Sequence, residues 1–224
     1  SSDGTLAPST GNQLAYLFLS EAMELLGVPE RKIRVVPHAP TPGLAPASPE
    51  RVRTYQDERR LPRDYLLYVG TREAHKNLGL LLGAIGRMAA GDRPPLVLSG
   101  GRWASDDPLA KQCAALGLEP WLYFAGQPAS VEEQAMLYSC AMIYLQPSLA
   151  ESFGLQALEA MACGVPVIAA DAAALPETLG DSALLVPAHG PEAWAAAITQ
   201  LVRDTWGRTQ LAVAGRAHAA TFTW

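Results

Sequence analysis

The stretch Glu151-Ser152-Phe153-Gly154-Leu155-Gln156-Ala157-Leu158-Glu159-Ala160-Met161-Ala162-Cys163-Gly164-Val165-Pro166-Val167-Ile168 decides how this chain is read. From Phe153 to Ala170 the single charged residue is Glu159, set in a segment that otherwise reads as a buried helix. A buried carboxylate is costly unless hydrogen bonds satisfy it. Glu151 stands just before that helix, whose first amides, from Phe153 to Leu155, lack intrahelical partners and carry the positive end of the helix dipole. Such an opening suits an anionic ligand.

A strand ending near Gln146, a loop over 147–152, a helix from about Gly154 and a strand over 165–170 make one βαβ unit. Ligands of such sheets bind beyond the carboxyl ends of the strands. Eight positions separate the two glutamates, so Glu151 can face the crevice while Glu159, roughly two turns into the helix, points into its wall. Vicinal hydroxyls can donate to a carboxylate without neutralising it, which makes a polyhydroxylated ligand the natural partner of both. The alternative is a capped core helix whose glutamate pairs with a buried arginine.

Hydrophobic periodicity extends the pattern in both directions. Strands are expected at 33–36, 65–69, 96–99, 121–124, 142–145, 165–169 and 183–186. Helices are expected at 12–27, 76–90, 108–116, 131–139, 191–203 and 208–219. This alternation predicts an α/β fold, a Rossmann-like parallel sheet with helices on both faces. Five prolines between Pro37 and Pro49 precede a segment, 50–64, in which nine of fifteen residues are charged; it reads as a long solvated connection. The chain therefore divides into a junction segment and helix (1–31), a strand with its connection (32–64) and the Rossmann-like domain (65–224). Gly79, Gly83 and Gly86 fall on one face of the first domain helix and read as packing positions.

With 224 residues, 49% of them hydrophobic and 17% charged, the chain can bury a sizeable core. A net charge of -5 and the lack of a basic run interleaved with aromatics argue against nucleic acid as a partner. Cys113, Cys140 and Cys163 show no metal-ligand spacing and read as reduced structural thiols of a cytoplasmic protein. The apolar runs are short and broken, so neither a signal peptide nor a membrane span is expected. Asp106-Asp107 precede Pro108 as an ordinary helix start, and no Asp-x-Asp motif sits at a strand end.

The quoted stretch resembles the signature of the retaining glycosyltransferases of family 4, in the GT-B superfamily. Flanking pieces fit in the same order: Tyr65 to Gly70 followed by Lys76-Asn77, then Leu96 to Gly101, Tyr123 to Gly126, Gln146-Pro147-Ser148 and Leu175-Pro176-Glu177. The resemblance covers about residues 30 to 224 and implies the carboxyl-terminal, donor-binding half of such an enzyme. The acceptor, a sugar or lipid-linked sugar, would then meet a missing amino-terminal domain. The chain would be an excised piece, a truncated product or a stand-alone donor module, cytoplasmic or at the inner face of the membrane in the full-length protein.

By the same resemblance Glu151, Lys76 and Arg72 take the catalytic positions, with Glu151 stabilising the transferred sugar and the two cations meeting the diphosphate. Thr71 stands where the family commonly has arginine, and Arg72 follows it. His75 is a further basic candidate, and His38-Ala39 departs from the family's usual Asn-Gly. Gly70, Thr71, Gly126, Gln127, Phe153, Gly154, Leu155 and Glu159 are the implied donor-binding residues. Glu159 would take the ribose, and Gly126, Gln127 and Pro128 would flank the base. No metal or cofactor is expected, because Lys76, Arg72 and the amides of Gly154 and Leu155 can meet the growing leaving-group charge. The neighbourhoods of Gly70-Thr71-Arg72-Glu73 and Gly100-Gly101-Arg102-Trp103 look like mannosyltransferases of bacterial surface polysaccharide, making GDP-mannose the first donor to consider. A two-carboxylate glycosidase is disfavoured because Glu159 should lie beneath the sugar subsite. A dinucleotide oxidoreductase is disfavoured because no G-x-G-x-x-G follows a strand. A non-catalytic nucleotide-sugar-binding or regulatory module and a GT-B-type epimerase remain as alternatives.

Overall fold

The computed structural model describes residues 23–32 and 38–224. The chain forms two compact units, Ser1–Pro37 and His38–Trp224. In the first, the helix expected at 12–27 is described only over 23–26. There Gly27, at φ 62°, ends it by donating its amide to the Met23 carbonyl. The rest of that helix and the strand expected at 33–36 lie outside the described residues.

The second unit carries six parallel strands: β1 (Tyr65–Val69), β2 (Leu96–Ser99), β3 (Leu122–Gly126), β4 (Ala141–Gln146), β5 (Val167–Asp171) and β6 (Leu184–Pro187). Their order is β3-β2-β1-β4-β5-β6, so the direction of winding reverses between β1 and β4. The middle strands are buried on both faces, as apolar runs such as Leu66-Leu67 and Ile143-Tyr144-Leu145 require. Eight helices flank them: α1 (Pro49–Arg59), α2 (Leu78–Arg87), α3 (Pro108–Ala115), α4 (Val131–Ser139), α5 (Leu155–Ala162), α6 (Leu175–Leu179), α7 (Pro191–Arg203) and α8 (Thr205–Ala219). On one face α2 packs with α3 and α7; on the other α5 packs with α4 and α8.

The segment expected as a solvated connection is instead helical over most of its length. Ser48 accepts the Arg51 amide as N-cap, Pro49 starts α1, and Arg60 ends it at φ 53°. Its many Glu and Arg residues are good helix formers, and Gln56 is its one buried side chain. An Arg59–Glu133 ion pair ties α1 to α4. The short helix α6 was likewise not legible, and α8 starts three residues early because Asp204 caps Gly207 at 2.8 Å.

More consequential for the site, α2 begins at Leu78 rather than Lys76. A 3-10 turn over Ala74–Lys76 ends at Asn77, whose φ of 56° breaks the helical path. Asn77 then clips two loops together, its amide nitrogen donating to the Pro147 and Ala188 carbonyls at 3.1 Å each. The three glycines of α2 do serve packing, but against side chains rather than a neighbouring backbone: Gly79 meets Gln112, Gly86 meets Leu116 and Gly83 meets Pro191.

The three cysteines are free and buried. Burial pushes the thiols of Cys140 and Cys163 up to about 11 and about 12, so both stay protonated at neutral pH. No helix among the described residues is long and apolar enough to cross a membrane.

Candidate functional site

The carboxyl ends of β1 and β4 flank the point where the strand order reverses, and a cleft of about 880 Å³ opens there. Gly70, Thr71, Arg72 and Lys76 line it from the β1 side and Gln127 with Pro128 from the β3 side. Trp103, edge-on to Phe124 at 5.3 Å, closes one part of the wall, and Gln134 and Tyr138 of α4 form another.

Release of Lys76 from the helix lets its side chain cross to the β4 side. Its Nζ lies 2.6 Å from Glu151 Oε1, with side-chain exposures of 14% and 9%. The loop carrying Glu151 is held by a hydrogen bond that the Leu149 amide donates to the His75 carbonyl at 2.7 Å. An ammonium has three donors, so this pair leaves Lys76 capacity for an anion. Arg72 turns to Asp107 at 2.9 Å and stays half exposed. Asp107 caps α3 through the Leu109 amide, as the sequence suggests, and holds Arg72 as well. His75 is exposed, its ring 3.5 Å from Glu73; it belongs to the surface.

Glu159 is 4% exposed and carries no cationic partner among the described residues. Its Oε1 accepts from the Thr41 hydroxyl at 2.6 Å, and its Oε2 from Gln134 Nε2 at 2.8 Å and the Tyr138 hydroxyl at 3.2 Å. A carboxylate offers about four acceptor sites, so the cage is uncharged and not full. Burial, and then the Glu159 charge, hold the Tyr138 phenol far above its ordinary range, so it remains a donor. The sequence foresaw a buried carboxylate here but none of its three partners. Gln134 and Tyr138, one helical turn apart on α4, share a face, and that spacing was the available signal.

Other expected residues fall around the cleft rather than on it. Gly126, at φ 73°, has its carbonyl taken by the Ser99 hydroxyl at 2.9 Å and the Gly100 amide at 3.1 Å, and it delivers Gln127 to the wall. Phe153 packs edge-on between His38 at 5.6 Å and Phe222 at 5.8 Å, an aromatic contact of the protein's own carboxyl-terminal segment. Gly154 is the N-cap of α5 and Leu155 its first residue. Gly154 has φ 90°, and a Cβ there would stand 2.6 Å from Cδ2 of the fully buried Leu175. We expect Gly154→Ala to lower unfolding stability by about 3 kcal/mol through left-handed strain and overpacking, measured by urea denaturation. A loss under about 1 kcal/mol would show that the turn can relax.

No group of three or more metal-ligating side chains comes together among the described residues.

Fold and cleft define a Rossmann-like parallel-sheet domain with a Lys–Glu pair at the switch point of its sheet. The chain belongs to the glycosyl transferases group 1 family, whose model matches residues 63–204. It is 35% identical over 208 residues to the O-antigen chain mannosyltransferase B of Escherichia coli, covering 92% of this chain and 54% of that protein. The chain spans about half the length of the curated relatives it matches. Among solved structures it resembles the carboxyl-terminal domain of a glycosyl transferase group 1 family protein from Francisella tularensis. That match has a TM-score of 0.67 and 27% identity, and it covers 80% of this chain and 94% of that one. It also superimposes on an Anabaena protein crystallised with UDP and glucose, with a TM-score of 0.78, 22% identity and coverage of 90% and 56%. These structural neighbours share its GT-B-type fold.

Proposed function

We propose that this chain is the donor-binding, carboxyl-terminal half of a retaining glycosyltransferase of family 4, which moves a sugar from a nucleotide-sugar to an acceptor. The observation that carries the reading is the Lys76–Glu151 pair at 2.6 Å, set where β1 and β4 diverge and beside an 880 Å³ cleft. A glycosyl transfer needs charge stabilisation at the departing diphosphate and acceptors for the hydroxyls of the transferred sugar. Lys76 and Arg72 supply the first, with the amides at the start of α5. Glu151 supplies the second as a stabiliser; leaving-phosphate assistance, with attack from the same face, accounts for retention. Glu159 takes the ribose hydroxyls behind Gln134, with Gly126, Gln127 and Pro128 beside the base.

The Escherichia coli relative supports a mannosyl donor, with GDP-mannose first, and the Anabaena neighbour makes UDP-sugars the competing class. The likeness to the isolated Francisella domain supports the half-enzyme assignment, with acceptor sugar or lipid-linked sugar bound elsewhere in the complete protein. Because the relatives are glycosyltransferases, a regulatory module and an epimerase are not favoured. Calorimetric titration of the chain with GDP, UDP and ADP sugars should single out one nucleotide; no binding to any would defeat the reading. The cationic charges of Lys76 and Arg72 make catalysis metal-independent, so transfer by the full-length protein should be unchanged by EDTA, and loss of transfer restored by Mg²⁺ would overturn that part.

A further inference from the structure

Glu151 is held from below as well as from the side. Gln146, the last residue of β4 and 1% exposed, donates through Nε2 to Glu151 Oε1 at 2.7 Å and to the Ser148 hydroxyl at 2.9 Å. Its own Oε1 accepts from the Tyr144 hydroxyl at 2.5 Å. Tyr144 and Ser148 are fully buried, so water cannot substitute for a lost partner in this chain. The Glu151 contact sets the amide orientation: turned over, the amide would aim its carbonyl at a carboxylate, two acceptors face to face. Burial holds the Tyr144 phenol protonated, its range pushed far upward.

Lys76 and Gln146 both bond Oε1 of Glu151, at 2.6 and 2.7 Å. Two donors, one from the 3-10 turn that follows β1 and one from the end of β4, converge on one oxygen and hold the carboxylate in place. Among the described residues no side chain is hydrogen-bonded to Oε2, which leaves that oxygen the acceptor still open on Glu151.

We propose that Gln146, locked by Tyr144, is a positioning residue that sets Glu151 to accept a hydroxyl of the donor sugar through Oε2. It touches neither nucleotide nor sugar itself. This inference rests on the donor-site reading above and adds to it the residue that aims the sugar subsite.

The test compares sugar-bearing with sugar-free ligands, which a merely structural role would not separate. The 224-residue chain is titrated calorimetrically with GDP-mannose against GDP and with UDP-glucose against UDP, and its unfolding midpoint is recorded for each variant. For the pair that the wild type binds, Gln146→Leu should weaken the nucleotide-sugar about tenfold while the nucleoside diphosphate stays within about twofold. Tyr144→Phe, a near-isosteric change that keeps the fold if Gln146→Leu does not, should weaken the sugar-bearing ligand about threefold in the same selective manner. Equal losses for both ligands, or none in a folded variant, would overturn the proposal. Should the wild type bind neither these four ligands nor ADP-glucose with ADP, the pair compared in the same way if the other two fail, the donor-site reading itself falls, and the inference with it. Should Glu151→Gln fail to discriminate sugar-bearing from sugar-free ligand, the role of Glu151 falls, while phosphate binding by Lys76 stands.

Discussion

Lys76→Ala should weaken binding of a nucleoside diphosphate by about 3 kcal/mol, on the order of a hundredfold, while the corresponding nucleoside binds almost as before. The asymmetry follows from position. Lys76 stands at the cleft mouth with its Nζ already committed once, to Glu151 at 2.6 Å, and a diphosphate would take its remaining donors. Removing the ammonium deletes those charged bonds and also leaves Glu151 without its cation, so an unpaired carboxylate stands beside the phosphate with Arg72 as the cation left to offset it. Breaking a largely buried pair costs stability as well, and urea denaturation in parallel separates a weakened site from a weakened fold. Calorimetry with the diphosphate and the nucleoside decides the matter: equal losses for the two would show that Lys76 supports the fold and does not read phosphate.

Glu159→Ala should act in a different pattern. Three donors, Thr41, Gln134 and Tyr138, lose their acceptor together, and two of the three line the cleft wall. Stranding these donors, of which Tyr138 is fully buried, and opening a cavity should lower unfolding stability by about 3 kcal/mol. Donor affinity should fall by about 1 to 3 kcal/mol, with nucleoside and nucleoside diphosphate weakened alike because both carry the ribose. Glu159→Gln keeps the volume and one acceptor oxygen and should recover most of the stability but only part of the affinity. Lost stability with unchanged nucleoside affinity would reduce Glu159 to a core residue. The two variants therefore have crossed signatures. One discriminates between ligands that differ in phosphate, and the other does not.

Much of the fold was legible because it is written in short-range pattern. Apolar runs such as Tyr65–Val69 and Val167-Ile168-Ala169-Ala170 announce strands buried on both faces, and helices α4 and α7 fall at the bounds expected, since Ser130 and Pro191 mark their starts. Charge density misled at Pro49–Arg59, where a high content of Glu and Arg is compatible with solvent exposure and with helix alike, and the Ser48 cap decided for helix. The start of α2 was misread because nothing in Lys76-Asn77 advertises a left-handed asparagine; loop contacts to Pro147 and Ala188 stabilise it.

At the site, local chemistry named the charged residues, because an isolated glutamate in an apolar helix and a lysine after a strand are anomalies visible in one dimension. Their partners were hidden. Thr41 lies 118 positions from Glu159, and Lys76 lies 75 positions from Glu151. Gln146 passed as an ordinary strand end until its neighbours on the sheet were known. Residue types and their periodicity settle which groups must be buried and therefore which must find hydrogen bonds. Which groups satisfy them depends on the crossover that brings β4 beside β1, a choice made by packing the whole sheet, and no stretch of neighbouring residues encodes it.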